Sequence, residues 1–262
     1  MQISLNFTKS VTENAAIYFE KAKKAKKKKE GAEKALEISR KKLEKVLKEK
    51  EKKDLEAEKK LKEQPKIMKK EWYEKFRWFY SSEGFLVIGG RDVITNEIVV
   101  KKHTEKEDLV FHTDMQGSPF FVVKADGKEI GKRTMEEAAA ATAIFSRAWK
   151  LGFGGITVRA YKPEQISKTA KSGEYLVRGA FILSGKGQVV EAEMRFAIGV
   201  KEGKIISGPF SAISANADRF VEVVQGDEKP SSLAKNIKSM FKVGSLDDII
   251  RMLPSGDGKI KQ

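Results

Sequence analysis

Apolar and polar positions follow two different patterns on either side of residue 70. Before it, apolar residues are sparse and recur at heptad spacing. Ala15, Ala22, Leu36, Leu43 and Ala57 form one set, and Tyr18, Ala25, Ala32 and Val46 the other, with Lys29 and Lys50 as interruptions. Ala, Leu, Lys and Glu dominate, all good helix formers. "SVTE" (Ser10 to Glu13) has capping-box spacing at a helix start. No proline occurs before Pro65, and Gly31 is the only glycine before Gly84. The pattern predicts a helical arm over residues 1–64 whose thin apolar stripe needs a partner helix. Fifty helical residues span about 75 Å as one rod, and a hairpin folded on itself fits equally.

A linker is expected over 65–71, within "EQPKIMKK", and beyond it short apolar runs alternate with turns. Strands are expected at Phe85–Ile88 (closed by Gly89-Gly90), Glu97–Lys102, Asp108–His112, Phe120–Lys124 and Ile156–Tyr161. Thr134 is expected to cap an Ala-rich helix from Met135 to Lys150. Gly179–Leu183 and Val189–Val200 read as paired strands across the turn "SGKGQ". Further strands are expected at Lys204–Ser207 and Arg219–Val224, and helices near Ser232–Phe241 and Leu246–Leu253. Strand runs broken by segregated helices indicate α+β: a compact mixed or antiparallel-sheet domain over 72–262 behind a helical coiled-coil arm.

Charge sharpens this division. The 262 residues carry a net charge of +15. Residues 1–70 hold 23 Lys+Arg against 12 Asp+Glu, or +11, which leaves 29 against 25, or +4, for the rest. A polyanionic partner follows from that balance, although acidic protein tails or anionic lipid fit charge alone. Lys23, Lys24, Lys26, Lys27, Lys28 and Lys29 spread around a helix, which suits non-specific phosphate contact by a basic arm; a solvated helix face is the plain alternative. With no cysteine, disulfides, thiolate zinc and a cysteine nucleophile are excluded. Only His103 and His112 are present, so a histidine-rich metal site is excluded too, and no metal or other cofactor is expected. No apolar h-region or membrane-length apolar run is visible, so a cytoplasmic location is expected. High Lys and Glu content without Cys also suits a thermophile.

Motifs for group transfer do not fit. "GKEIGKRT" (Gly127 to Thr134) has the wrong spacing for a phosphate loop, and "SGKGQ" lacks its Ser/Thr. "GFGG" (Gly152 to Gly155) reads as a turn. "SKTAKSG" (Ser167 to Gly173) lacks the paired elements of Ser–Lys hydrolases. In "EWYEKFRWFY" (Glu71 to Tyr80), six of ten residues are aromatic. Read as a helix, Trp72, Phe76 and Phe79 share a core-facing side, while Tyr73, Arg77 and Tyr80 share another that could contact RNA.

Four ordered segments carry a resemblance: "EWYEKFRWFYSSEGFLVIGGRDVITNEIVVKKH", "DLVFHTDMQGSPFFVVK", "TMEEAAAATAIFSRAW" and "QISKTAKSGEYLVRGAFILSGKG". They resemble NFACT-R, the RNA-binding domain of the NFACT proteins. "SVTENAAIYFEKAKKAKKKKEGAEKALE" resembles the coiled-coil middle segment before it, and the overall style resembles archaeal members. The resemblance implies a non-enzymatic module in ribosome-associated quality control. Its implied partners are tRNA, the large ribosomal subunit (rRNA) carrying peptidyl-tRNA, and an NFACT-N part expected in a longer protein. Coiled-coil self-association is also open. The family commonly has His-Ala-Asp-x-His-Gly where this chain has His112-Thr113-Asp114-Met115-Gln116-Gly117, which counts against two-histidine chemistry there.

Within such a domain the RNA surface is expected on polar residues held by turns. Arg91 and Asp92 follow the Gly-Gly turn, where backbone can approach a ligand; an internal Arg91–Asp92 ion pair is the structural alternative. Asn96, Lys101 and Lys102 are expected on the next strand, and His112, Asp114, Gly117 and Ser118 in the next loop; a hydrogen-bonded structural histidine is the alternative at His112. Lys168, Thr169, Lys171, Ser172 and Tyr175 are expected in a further one. Lys and Arg would meet phosphates, and Ser, Thr and Asn the 2′-hydroxyl. A protein-interaction scaffold, or a phosphoester enzyme using His112, Asp114, Arg91 and Lys168, are the competing readings.

Overall fold

The computed structural model describes residues 4–62, 71–115, 117–168 and 179–261, with only the backbone for 51–62. The chain divides into two compact units, Met1–Lys69 and Lys70–Gln262. Most of the expected linker lies outside the described residues.

The described part of the first unit holds one continuous helix, α1 (Val11–Lys62), about 78 Å long at 1.5 Å per residue. It is a rod, not a hairpin. The capping box forms as its spacing predicts: Ser10 N–H donates to Glu13 Oε2 at 2.8 Å, and Glu13 N–H donates to Ser10 Oγ at 3.3 Å. Asn14 pins the preceding turn, its amide donating to the carbonyls of Asn6, Lys9 and Ser10. Leu36, Leu43, Val46 and Leu47 are all more than half exposed.

The second unit starts with a 3-10 turn (Trp72–Lys75). Then come β1 (Arg77–Tyr80), β2 (Leu86–Gly89), α2 (Val93–Lys102), β3 (Leu109–His112), β4 (Phe121–Val123), α3 (Lys132–Ile144), α4 (Arg147–Lys150) and β5 (Gly155–Tyr161). They are followed by β6 (Ile166–Ser167), β7 (Ile182–Leu183), β8 (Gln188–Glu193), β9 (Phe196–Lys201) and β10 (Lys204–Pro209). The order ends with α5 (Phe210–Asn216), β11 (Arg219–Glu228), α6 (Pro230–Phe241), α7 (Leu246–Met252) and β12 (Gly258–Ile260). One antiparallel sheet has the order β1-β2-β4-β3-β5-β8; a second has β10-β9-β11-β12; β6 and β7 form a separate ribbon. The α+β expectation holds.

Strand alternation gives the first sheet a core on each face. In β4, Phe121 and Val123 enter the large core, which also takes residues of the second sheet, while Val122 enters a smaller one. The small core joins Phe76, Ile88, Val99, Val110, Phe120 and Val122, so it sets α2 against this face. α3 touches β3, β4, β5 and β8 of one sheet and β10 of the other. Its Ala138 to Ala141 and Ala143 are buried. Small side chains all round let a helix sit inside the core with backbone close on both sides.

Five expectations change. The Trp72–Tyr80 stretch is a 3-10 turn and a strand rather than a helix. Phe76 and Phe79 are buried as expected, but Trp72 is 45% exposed. The predicted strand Glu97–Lys102 is the C-terminal part of α2. The Ala-rich helix starts at Lys132, with Gly131 at its cap position, and stops at Ile144, where Ser146 caps α4 instead. Thr134 serves that helix start differently, as its N–H and hydroxyl both donate to Glu83 Oε2, at 2.9 and 2.6 Å. β7 pairs with β6, not with β8, and Val189–Val200 is two strands broken at Met194-Arg195.

Candidate nucleic-acid interface

Of the expected site residues of the second unit, Arg91, Asp92, Asn96, Lys101, Lys102 and Lys168 lie on or beside α2, whereas Asp114 and Gly117 are on the loop after β3. The local sequence explains how α2 starts. Thr95 N–H donates to Asp92 Oδ1 at 2.8 Å, and Thr95 Oγ1 accepts the Asp92 N–H at 2.9 Å. This reciprocal cap satisfies first-turn donors and holds the Asp92 carboxyl below its usual range. It outweighs the strand preference of Ile and Val in "VITNEIVVKK". The two glycines before it serve packing, not ligand approach. A Cβ on Gly89 would overlap the Phe121 ring, and one on Gly90 would overlap Asn96 Oδ1. Asn96 Oδ1 accepts the Phe120 N–H at 3.1 Å, which ties α2 to the edge of β4.

The exposed side of α2 carries lysines. Glu97 accepts from Lys101 Nζ at 2.8 Å and also from Lys168 Nζ. The hydrogen bonds from Lys101 and then Lys168 hold the Glu97 carboxyl down at about 2. Lys168 Nζ also lies 5.7 Å from the centre of the Phe181 ring. Lys101 and Lys102 occupy the last turn, where positive charge complements the helix dipole. Gly179, at φ +82°, packs against Val93. Lys168, at the start of the "SKTAKSGEY" segment, and Gly179, four residues beyond its end, are therefore both set along α2. Thr169, Lys171, Ser172 and Tyr175 lie outside the described residues.

At the other end of α2 three arginines converge. Arg77, Arg91 and Arg251 line one depression with Trp78, Phe145 and Ser207. Arg91 donates to the Phe76 carbonyl at 2.8 Å. The Arg77 guanidinium carbon sits 4.1 Å from the Phe145 ring centre. Burial, followed by the Arg91 charge, lowers the Arg77 pKa to about 10. Arg91 is lowered by burial and then by Arg251, with Asp248 and Asp92 opposing. Among the described residues Arg91 forms no ion pair with Asp92, so the internal salt-bridge alternative is not what holds this turn.

His112 faces inward. Its ring stacks on Phe120 at 3.9 Å, and its Nδ1 lies 3.2 Å from the Pro119 carbonyl. Burial lowers its pKa. Ser118 is buried, and its hydroxyl donates to the Pro119 carbonyl at 3.3 Å. Asp114 and Gly117 are exposed. Asn96, His112 and Ser118 thus direct polar atoms into the protein, and the exposed Asp92 carboxylate turns back onto its own helix, while Lys101 and Lys102 are exposed, Lys168 is half-buried beside Glu97, and Arg77 and Arg91 are half-buried in the depression. Arg251 and Glu97 join the cluster without having been anticipated. Spacing alone could not bring Arg251 to a turn 160 positions upstream.

In the first unit, the six lysines of the expected basic arm lie within α1. Lys23, Lys24, Lys26, Lys27, Lys28 and Lys29 are all exposed on it. That exposure fits both the phosphate-contact reading and the plain solvated face. Lys29 Nζ lies 3.9 Å from a Glu33 oxygen, and similar i,i+4 pairs join Glu37–Lys41 and Glu44–Lys48. Among the described residues, no group of three His, Asp or Glu side chains could hold a metal ion. No described helix is long and apolar enough to cross a membrane.

The NFACT protein RNA binding domain family matches residues 75–185, a span that holds α2, the lysine cluster, Arg77 and Arg91. The archaeal Rqc2 homolog aRqcH of Methanocaldococcus jannaschii is 44% identical over 203 residues, covering 74% of this chain and 30% of that protein. Human ribosome quality control complex subunit NEMF is 42% identical over 122 residues, covering 46% of this chain and 11% of that protein. The ribosome quality control complex subunit 2 of Schizosaccharomyces pombe is 34% identical over 122 residues, covering 45% and 12%. The chain therefore spans less than a third of the length of these curated relatives. Residues 75–185 match the NFACT RNA-binding domain, and the relatives that share this stretch are ribosome quality control proteins and an archaeal Rqc2 homolog.

Proposed function

We propose that this chain is an RNA-binding module of a ribosome-associated quality-control factor acting on stalled nascent chains in the cytoplasm. Its partners in this reading are tRNA and the RNA of the large ribosomal subunit carrying peptidyl-tRNA, with an NFACT-N part contributing from elsewhere in the whole protein. It binds and does not catalyse. The match of residues 75–185 to an RNA-binding domain carries the reading. The cations grouped around α2 support it, because lysines and arginines there meet phosphates without reading base sequence. The inward-facing His112 ring supports binding over acid–base chemistry.

The test is binding to deacylated tRNA and to naked large subunits, titrated from low to physiological salt. Affinity should fall linearly on a log–log plot, with a slope set by the number of phosphates engaged. Affinity independent of salt, or none at low salt, would sink the reading. A second reading, self-association through α1, is favoured by the exposed Leu36, Leu43, Val46 and Leu47. Sedimentation of the chain across a wide concentration series separates the two, since only the second makes mass concentration-dependent.

A further inference from the structure

We propose that Arg77, Arg91 and Arg251 form a subsite for a single phosphoryl group, an inference that rests on the RNA-binding reading and adds to it a defined anchoring point. The three come from separate segments, β1, the turn before α2, and the last turn of α7, and line one depression. Two are fixed in place by neutral partners. Arg91 donates to the Phe76 carbonyl at 2.8 Å, and Arg77 stacks on Phe145. Arg77 Nη1 also reaches the Arg251 carbonyl at 3.5 Å. Guanidinium groups gathered without an anion repel one another and have lost part of their hydration.

No described carboxylate pairs with them directly, whereas Lys124, Lys168, Arg195 and Lys204 of the same unit each form an ion pair. The acids whose fields reach Arg91 are Asp92 and Asp248. Asp92 is engaged by Thr95, and Asp248 accepts the Ser245 hydroxyl at 2.6 Å. Arg91 Nε is buried with no hydrogen-bond partner, so that guanidinium is not fully satisfied by the protein. Planar forks converging from three segments match the several oxygens of a phosphoryl group, and suit it better than a two-oxygen carboxylate. The group is either a backbone phosphodiester or a terminal phosphate of RNA.

Arg251 is exposed on α7, so Arg251→Gln spares the core, and Arg251→Lys keeps the charge. Two measurements on the full chain decide. The first is the melting temperature in inorganic phosphate against chloride at equal ionic strength. The second is affinity for 5′-phosphorylated and 5′-hydroxyl forms of one oligoribonucleotide. Phosphate should raise the wild-type melting temperature and leave that of Arg251→Gln unchanged, with Arg251→Lys between them. RNA affinity should drop about tenfold in Arg251→Gln. Equal losses on both RNAs assign a backbone phosphate; loss confined to the 5′-phosphorylated RNA assigns a terminal one. If the wild type responds to phosphate through Arg251 yet binds neither RNA, the subsite stands and the RNA-binding reading fails. If RNA binding is intact but Arg251→Gln changes neither readout, the subsite is overturned and the RNA-binding reading stands. The same follows if an acidic peptide protects the wild type and phosphate does not.

Discussion

The lysines of α1 and the cations around α2 carry charge of one sign in opposite surroundings. Lys23, Lys24, Lys26, Lys27, Lys28 and Lys29 project from an exposed helix, each on a flexible stem, with Glu33 near the last of them. Such charge is screened by salt and attracts any polyanion. Around α2 the cations are held: Lys101 and Lys168 by Glu97, Arg91 by a carbonyl, Arg77 by an aromatic ring. The arm supplies charge by number, and the second unit supplies it by position. Only positioned charge can discriminate one phosphate arrangement from another.

The contrast is sharpest for stability. Lys124 Nζ lies 2.5 Å from Asp108 Oδ2, with both side chains buried, and 3.1 Å from Glu105. Burial pulls the Lys124 pKa down, but hydrogen bonds to Asp108 and Glu105 outweigh it and leave the pKa raised. Lys124→Met abandons a buried carboxylate and should cost about 3–5 kcal/mol in urea unfolding. Lys48→Met, which removes an exposed pair on α1, should cost at most about 0.5 kcal/mol. Equal costs would break the comparison. Next in size, Asp92→Ala removes the cap that starts α2 and should destabilise the second unit by about 1 kcal/mol. A loss below about 0.3 kcal/mol would show that α2 is fixed by packing alone.

Smaller effects concern protons and salt. Burial depresses His112 and His103 below the ordinary value of 6.5. The unfolded chain then binds more protons than the folded one as pH falls through and below that value. Stability should be full above about pH 6.5 and decline toward about pH 5, with a shallower decline in His112→Gln. An unchanged slope in the variant would show that the His112 ring does not carry it. Replacing Lys26, Lys27, Lys28 and Lys29 together with Gln should leave stability within about 0.5 kcal/mol. It should also flatten the log–log salt slope of RNA binding by about 0.7–0.9 for each phosphate those lysines engage.

The sequence made some of this legible and hid the rest for physical reasons. α1, its Ser10–Glu13 box, β5 and α6 follow from local periodicity and capping, which neighbours reinforce. α2 was hidden because Ile94, Ile98, Val99 and Val100 favour strands in isolation, although the Asp92–Thr95 spacing was the available signal. β1 was hidden because aromatic residues at helical intervals also alternate well enough for a four-residue strand. The grouping of Arg91, Lys101 and Lys168 around one element was foreshadowed by the turns flanking them. Arg251 was not, because α7 reaches the depression only through tertiary packing. The inward turn of His112 was one of two readings open at that position, and the Phe120 ring beneath it decides between them.

The central claim is that position, not number, of cations governs recognition. It is tested most directly by tRNA binding at physiological salt, comparing the full chain, a chain beginning at Lys70, and the Lys101→Gln/Lys168→Gln/Arg251→Gln variant. The shortened chain should retain tRNA binding with a flatter salt dependence, and the triple variant should lose it while its arm is intact. Binding that survives in the triple variant and vanishes with the arm would contradict the claim and assign recognition to the lysines of α1.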